Sequence, residues 1–140
     1  DLKVDEKATE KGKASGKSRK GKSKKKISVA NVYIQSSYNN TIVSVTDLSG
    51  NVVAWASAGS AGFKGAKKST PFAASTVVKR VLENMRDSGL KQVNVIATGV
   101  GNGKESAIRA FGSSNIQVLS IRDITPVPHN GCRPRKIRRV

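Results

Sequence analysis

The chain has 140 residues, enough for one domain with a moderate core, and it carries a net charge of +17. One cysteine, Cys132, excludes an intramolecular disulfide framework, and no apolar run approaches the roughly 20 residues that span a bilayer. Residues 1–26 hold 11 basic and 4 acidic residues, residues 27–122 hold 10 and 4, and residues 123–140 hold 5 and 1. Most of the excess charge therefore sits on two arms, and the partner such arms call for is a polyanion.

Residues 1–26 are Lys, Gly, Ser and Ala, with only Leu2 and Val4 as larger apolar groups. That composition cannot offset the entropy of ordering and predicts a disordered Lys-rich arm. The arm offers no apolar segment of the signal-peptide kind. Asp1, Asp5, Glu6 and Glu10 argue against an acid-poor transit peptide, so cytoplasmic residence is expected.

From Ile27 onward the pattern predicts a folded α/β domain over 27–122. Ile27-Ser-Val29 and Val32-Tyr-Ile34 alternate as a strand with an irregularity near Ala30-Asn31, because the two apolar pairs fall on opposite phases. Tyr38-Asn39-Asn40 predicts a turn into a strand over 41–46. Asp47-Leu-Ser-Gly50-Asn51 predicts another turn, into a strand over 52–57. Three strands on short turns make an antiparallel meander.

A long loop over 58–69 then leads to a helix that starts at Thr70-Pro71, with Ser69 or Thr70 as its cap. Ala74, Val77, Val78, Val81, Leu82 and Met85 form its buried stripe, and Gly89 supplies a left-handed stop. A fourth strand over 92–97, a short helix carrying Ala107, Ile108 and Phe111, and a fifth strand over 116–121 follow. Strand–helix–strand order implies parallel pairing with right-handed crossovers. Trp55 and Phe72 are expected in the core.

Residues 123–140 cannot form a regular helix or a central strand, given Pro126, Pro128, Gly131 and Pro134. Five basic residues accompany them, so the segment predicts an extended tail lying along nucleic acid. The Asn130-Gly131 pair within it is expected to be prone to deamidation.

Catalysis finds little footing. The only His and Cys, His129 and Cys132, lie in this irregular tail, and two ligands three residues apart fall short of a structural zinc site. Sharing of a metal between molecules is the one arrangement that would use them. The domain's carboxylates, Asp47, Glu83, Asp87 and Glu105, are too few and scattered in sequence for a two-metal nuclease. No catalytic residue, metal, cofactor or small-molecule substrate is assigned.

Binding signals are stronger. Gly99-Val-Gly101-Asn-Gly103-Lys104 has the context of a phosphate loop but lacks the spacing of either nucleotide fingerprint. Its glycines permit close approach, and Lys104 is placed to hold an RNA phosphate. The loop over 59–69 joins small residues to Phe63, Lys64, Lys67 and Lys68, so it is expected to face RNA, with Phe63 on a base or in a gap. Asn39 and Asn40 serve either the turn alone or the turn and RNA.

The stretches Ser37-Tyr-Asn-Asn-Thr-Ile42, Trp55-Ala-Ser-Ala-Gly59, Gly62-Phe-Lys-Gly65, Lys68-Ser-Thr-Pro-Phe-Ala-Ala74 and Asp123-Ile-Thr-Pro-Val-Pro-His-Asn-Gly-Cys-Arg-Pro134 give the chain a resemblance. Over roughly residues 28–140 it resembles ribosomal protein eleven of the small subunit, of bacterial or organellar type. The resemblance implies a ribonuclease-H-like fold with a mixed five-stranded sheet and two helices, used for binding. It further implies a place on the small-subunit platform near the messenger exit path and the Shine–Dalgarno helix. Partners would be small-subunit rRNA, nearby messenger RNA and the seventh and eighteenth small-subunit proteins, with no membrane.

Carried onto this chain, the rRNA-facing positions are Asn39, Asn40, Lys64, Lys67, Lys68, Lys104, Arg109, His129, Asn130, Arg133, Arg135, Lys136, Arg138 and Arg139. The sequence departs from the family in three places. The loop over 99–103 has no proline, Arg135 stands where proline is usual, and the N-terminal arm does not align. A metal-dependent nuclease on the same fold and a general nucleic-acid condensing protein are the rival readings.

Overall fold

The computed structural model describes residues 25–139. The expectation of a disordered arm over 1–26 lies, but for Lys25 and Lys26, outside the described residues. The elements in chain order are strands β1 (Val29–Ser36), β2 (Thr41–Thr46) and β3 (Val52–Ser57), helix α1 (Pro71–Asn84), strand β4 (Gln92–Thr98), helix α2 (Gly103–Gly112) and strand β5 (Gln117–Asp123). Two short 3-10 turns, Gly65–Ser69 and Arg86–Ser88, flank α1.

The five strands form one sheet in the order β3-β2-β1-β4-β5. β1–β2 and β2–β3 pair antiparallel, while β1–β4 and β4–β5 pair parallel. The mixed α/β architecture, the meander and the strand–helix–strand half are as the sequence predicts.

β1 holds its register without a break. The expected irregularity at Ala30-Asn31 is absent: Ala30 pairs with Val93 and Asn31 with Asn94 in unbroken sequence. The phase conflict is resolved by the small residue. Ala30, Val32, Ile34 and Ser36 face the core, and Val29 takes the opposite face. Asn31 is held there by Asn94, whose Nδ2 donates to Asn31 Oδ1 at 3.2 Å, while Ser120 Oγ donates to Asn94 Oδ1 at 3.1 Å. The register shifts occur elsewhere, at Val45/Thr46 in β2–β3 and at Val93/Asn94 in β4–β5.

Both helices pack side by side on one face of the sheet. Thr70 caps α1, its Oγ1 accepting from the Ala73 N–H at 3.3 Å, and Pro71 takes the first position, where a missing N–H costs nothing. Ala74, Val77, Val78, Val81 and Met85 are buried as the periodicity predicts, while Leu82 is only half-buried. Gly89 adopts the left-handed conformation at φ 69°, after the 3-10 turn rather than directly on the helix. Phe111 of α2 is the largest fully buried side chain.

Among the described residues no helix covers the second face of the sheet, which overturns two core assignments. Trp55 is 59% exposed on that face. Phe72 is 72% exposed, because the second position of α1 points away from the sheet. The aromatic that packs against the core from this region is Phe63, which meets Phe72 edge-on at 6.0 Å.

Candidate nucleic-acid interface

Strand direction gathers the basic loops at one end of the molecule. β1, β4 and β5 are parallel, and two successive antiparallel pairings make β3 run the same way. Four strands therefore finish at the same end, where Gln35 pairs with Thr98, Ile42 with Ser57 and Ala97 with Asp123. From that end leave the 37–40 turn, the 58–69 loop, the 99–102 glycine loop and the tail. Both helices begin there too, so their amino ends add partial positive charge to the lysines.

The 37–40 turn divides its two asparagines. Asn40 is spent on the fold: its N–H donates to Ser37 Oγ at 3.1 Å and its Oδ1 accepts from the Thr41 N–H at 2.9 Å. Asn39 is exposed and reaches the tail, its Oδ1 accepting from Arg138 Nη1 at 3.4 Å. The tail thus runs past the turn, and the two expected RNA-contact segments form one surface. Tyr38 at the tip of the turn is 75% exposed.

In the 58–69 loop, Lys64 and Lys67 are exposed, whereas Lys68 is half-buried with its stem beside Gly59. Reciprocal bonds between Ser57 and Ser60 shape the entry to the loop. The Ser57 N–H donates to Ser60 Oγ at 2.9 Å, and the Ser60 N–H to Ser57 Oγ at 3.2 Å. Phe63 is anchored under the loop, so Phe72 is the aromatic left facing outward. Of the two expectations for Phe63, on a base or in a gap, the fold takes the second, while Phe72 leaves the core expected for it, since nothing local marks which of two aromatics a 3-10 turn will tuck inward.

The glycine loop serves the protein's own backbone. A Cβ at Gly99, where φ is +102°, would overlap the Ser36 carbonyl, and one at Gly101 would overlap the Ser37 carbonyl and Ser36 Oγ. A Cβ at Gly103 would strike Thr41 Oγ1. The close approach that the glycines permit is that of the β1–β2 turn.

Lys104 is also engaged inside the domain. Its Nζ lies 2.7 Å from Asp123 Oδ2 and donates to the Gly99 carbonyl at 3.1 Å. Asp123 belongs to β5, one residue beyond the expected end of the domain, and it organises the first turn of the tail. Its Oδ1 accepts from the N–H and Oγ1–H of Thr125 at 3.0 and 2.6 Å, and Thr125 Oγ1 accepts from the Gly99 N–H at 3.1 Å. Lys104, then Thr125, hold the Asp123 carboxyl well below its ordinary range.

Arg109 stands apart. It lies on the last turn of α2, ion-paired with Glu105 one turn earlier, beside a groove of about 530 Å³ between the helices that Lys79 and Leu82 also line. The tail residues His129, Asn130, Arg133, Arg135, Lys136, Arg138 and Arg139 are all exposed, and Asn130 takes a left-handed turn at φ 61°.

Carboxylates do not converge. Asp47 sits in the β2–β3 turn, its carboxyl lowered by the Asn51 side chain and then the Asn51 backbone, while Glu105 and Asp123 face their cations. No group of three or more His, Cys, Asp or Glu among the described residues could hold a metal ion. No helix there is long and apolar enough to cross a membrane.

The sequence model of the Ribosomal protein S11 family matches residues 30–139. The chain is 57% identical over 122 residues to small ribosomal subunit protein uS11 of Treponema pallidum, covering 87% of this chain and 97% of that protein. It is 59% identical over 121 residues to the protein of that name from Borreliella burgdorferi, with 86% and 93% covered. The Thermosynechococcus vestitus protein is 53% identical over 119 residues, with 85% and 92% covered. By the extent of these matches, which take in the whole domain and nearly all of the tail, the chain belongs to the Ribosomal protein S11 family.

Proposed function

We propose that the protein is a structural, non-enzymatic constituent of the small ribosomal subunit, and that the carboxyl end of its sheet clamps small-subunit rRNA. The observation that carries this is the convergence at one end of two helix amino termini, the Lys64–Lys68 loop, the Asn39 turn and the basic tail. The relatives named above, each a small ribosomal subunit protein, support the same assignment.

Lys64, Lys67, Lys68, Arg133, Arg135, Lys136, Arg138 and Arg139 neutralise phosphates, while Asn39, His129 and Asn130 fix register by hydrogen bonds. Tyr38 and Phe72 are the exposed aromatics at this end that bases would stack on. Lys104 and Asn40 act from behind, holding the tail root and the turn in place. The resemblance further supports a site on the platform beside the messenger exit path and the Shine–Dalgarno helix, next to the seventh and eighteenth small-subunit proteins, in the cytoplasm.

Replacing Arg133, Arg135, Lys136, Arg138 and Arg139 together with Ser tests the clamp. Incorporation into small subunits, read on a sucrose gradient, should fall severely while the domain melts at an unchanged temperature. Unchanged incorporation would overturn the reading.

A further inference from the structure

The five strands together contain only two charged residues, Arg122 and Asp123, both at the end of β5. In a chain of net charge +17, the strands thus bring no lysine and one arginine to the second face of the sheet among the described residues. A polyanion needs neutralising charge wherever it lies flat on a protein, so this face does not complement RNA.

The face is also apolar, most of all along β3. Val52, Val53 and Trp55 are exposed in a strand of six residues. Trp55 pairs across to Ser44, and Ser44 to Tyr33, which is 39% exposed, so two aromatics flank a small hydroxyl.

β3 is moreover an edge strand with an open backbone. The Ala58 N–H donates to the Thr41 carbonyl at 3.0 Å, so by the alternation of an antiparallel ladder Trp55 and Ser57 turn their backbone groups outward, up to the bulge at Val53. Ser60 Oγ caps the N–H of Ser57. The strand bulges at Val53, but from Ala54 to Ser57 neither lysine nor proline stands in it, so the edge at Trp55 is left unblunted. β5, at the other edge, has two charges as well as a register shift.

We propose that the β3 edge docks an extended segment of another polypeptide of the small subunit. The segment adds as a further antiparallel or parallel strand and lays an apolar side chain on Trp55. Main-chain bonds to Trp55 supply affinity, and the Trp55–Ser44–Tyr33 row selects apolar side chains at alternate positions. Nucleic acid cannot continue a backbone ladder, and a second copy of this chain would bring the same large positive charge. The inference uses the proposed place in the small subunit only for where the partner is met.

The test is photocrosslinking in assembled small subunits. Val53→p-benzoylphenylalanine should give an adduct with one other small-subunit protein, and Lys64→p-benzoylphenylalanine should give rRNA adducts. An rRNA adduct at position 53, an adduct with a second copy of this chain, or no adduct while position 64 labels rRNA would each overturn the proposal. A protein adduct at 53 with no rRNA adduct at 64 would instead sink the RNA role of the lysine loop and leave the docking edge standing. As a second measurement, Trp55→Ser should lower the crosslinked partner's occupancy about tenfold, and Trp55→Phe much less, with the melting of the free protein unchanged. Equal occupancy in wild type and Trp55→Ser subunits would overturn the assignment of Trp55.

Discussion

Lys104 Nζ and Asp123 Oδ2, 2.7 Å apart, join the first turn of α2 to the last residue of β5 exactly where the basic tail departs. The contact converts a lysine that reads as a phosphate ligand into a fastening for five other cations. Asp123→Asn should leave the melting temperature nearly unchanged, since exposed pairs add little to stability. It should nonetheless reduce small-subunit incorporation several-fold by freeing the tail's direction, and an unchanged gradient profile would remove this role.

The pH dependence of that fastening has a definite sign. Because the folded Asp123 carboxyl titrates below its ordinary value of 3.8, the contribution is complete above about pH 4 and is lost as pH falls through the lowered value. Carboxyl chemical shifts followed by NMR should show a midpoint below that of Asp in an unfolded peptide. The Thr125 amide should shift with the same midpoint.

Glycine substitutions separate contact from tolerance. Gly101→Ala should destabilise by about 2–4 kcal/mol, since its Cβ must displace the Ser37 backbone. Gly112→Ala, whose Cβ meets nothing within 4 Å at the end of α2, should be neutral or stabilise by up to about 1 kcal/mol. Thermal or urea melts of the two variants decide the matter.

Two stability changes test the packing directly. Phe111→Ala should cost about 3–5 kcal/mol, as the largest fully buried side chain beneath α2. Thr70→Ala should cost about 1 kcal/mol through loss of the cap to Ala73, without altering the sheet.

Salt dependence measures the loop. Lys64→Gln and Lys67→Gln together should reduce the slope of log affinity against log salt for a small-subunit rRNA fragment by about 1.5 to 2, a little under one per phosphate contact. Lys104→Gln should change that slope little, because its charge is already met by Asp123.

The fold was legible wherever periodicity and local chemistry agree. The helix cap at Thr70-Pro71, the stripe from Ala74 to Met85 and the turn signals between strands all reported their own structure. Trp55 was illegible for a different reason: β3 is apolar at nearly every position, so alternation could not say which face the helices cover. Lys104 looked free because its partner lies 19 positions away, in a strand end that only the tertiary fold brings near. The glycine loop likewise announced a close approach but not of what. The Asn39–Arg138 contact, 99 positions apart, had no local trace at all.

The gathering of the 37–40 turn, the 58–69 loop and the tail at the carboxyl end of the sheet has a consequence for the order of synthesis. β5 and the tail emerge after the turn and the loop from the ribosome that makes the chain, yet they supply Asp123 and Arg138, which tie the early turn and the middle loop into one surface. A partly translated chain has its lysines and its helices but no assembled clamp. The joined surface of turn, loop and tail therefore forms only after the tail has been made, and a fragment released before it carries the lysines without their fastening.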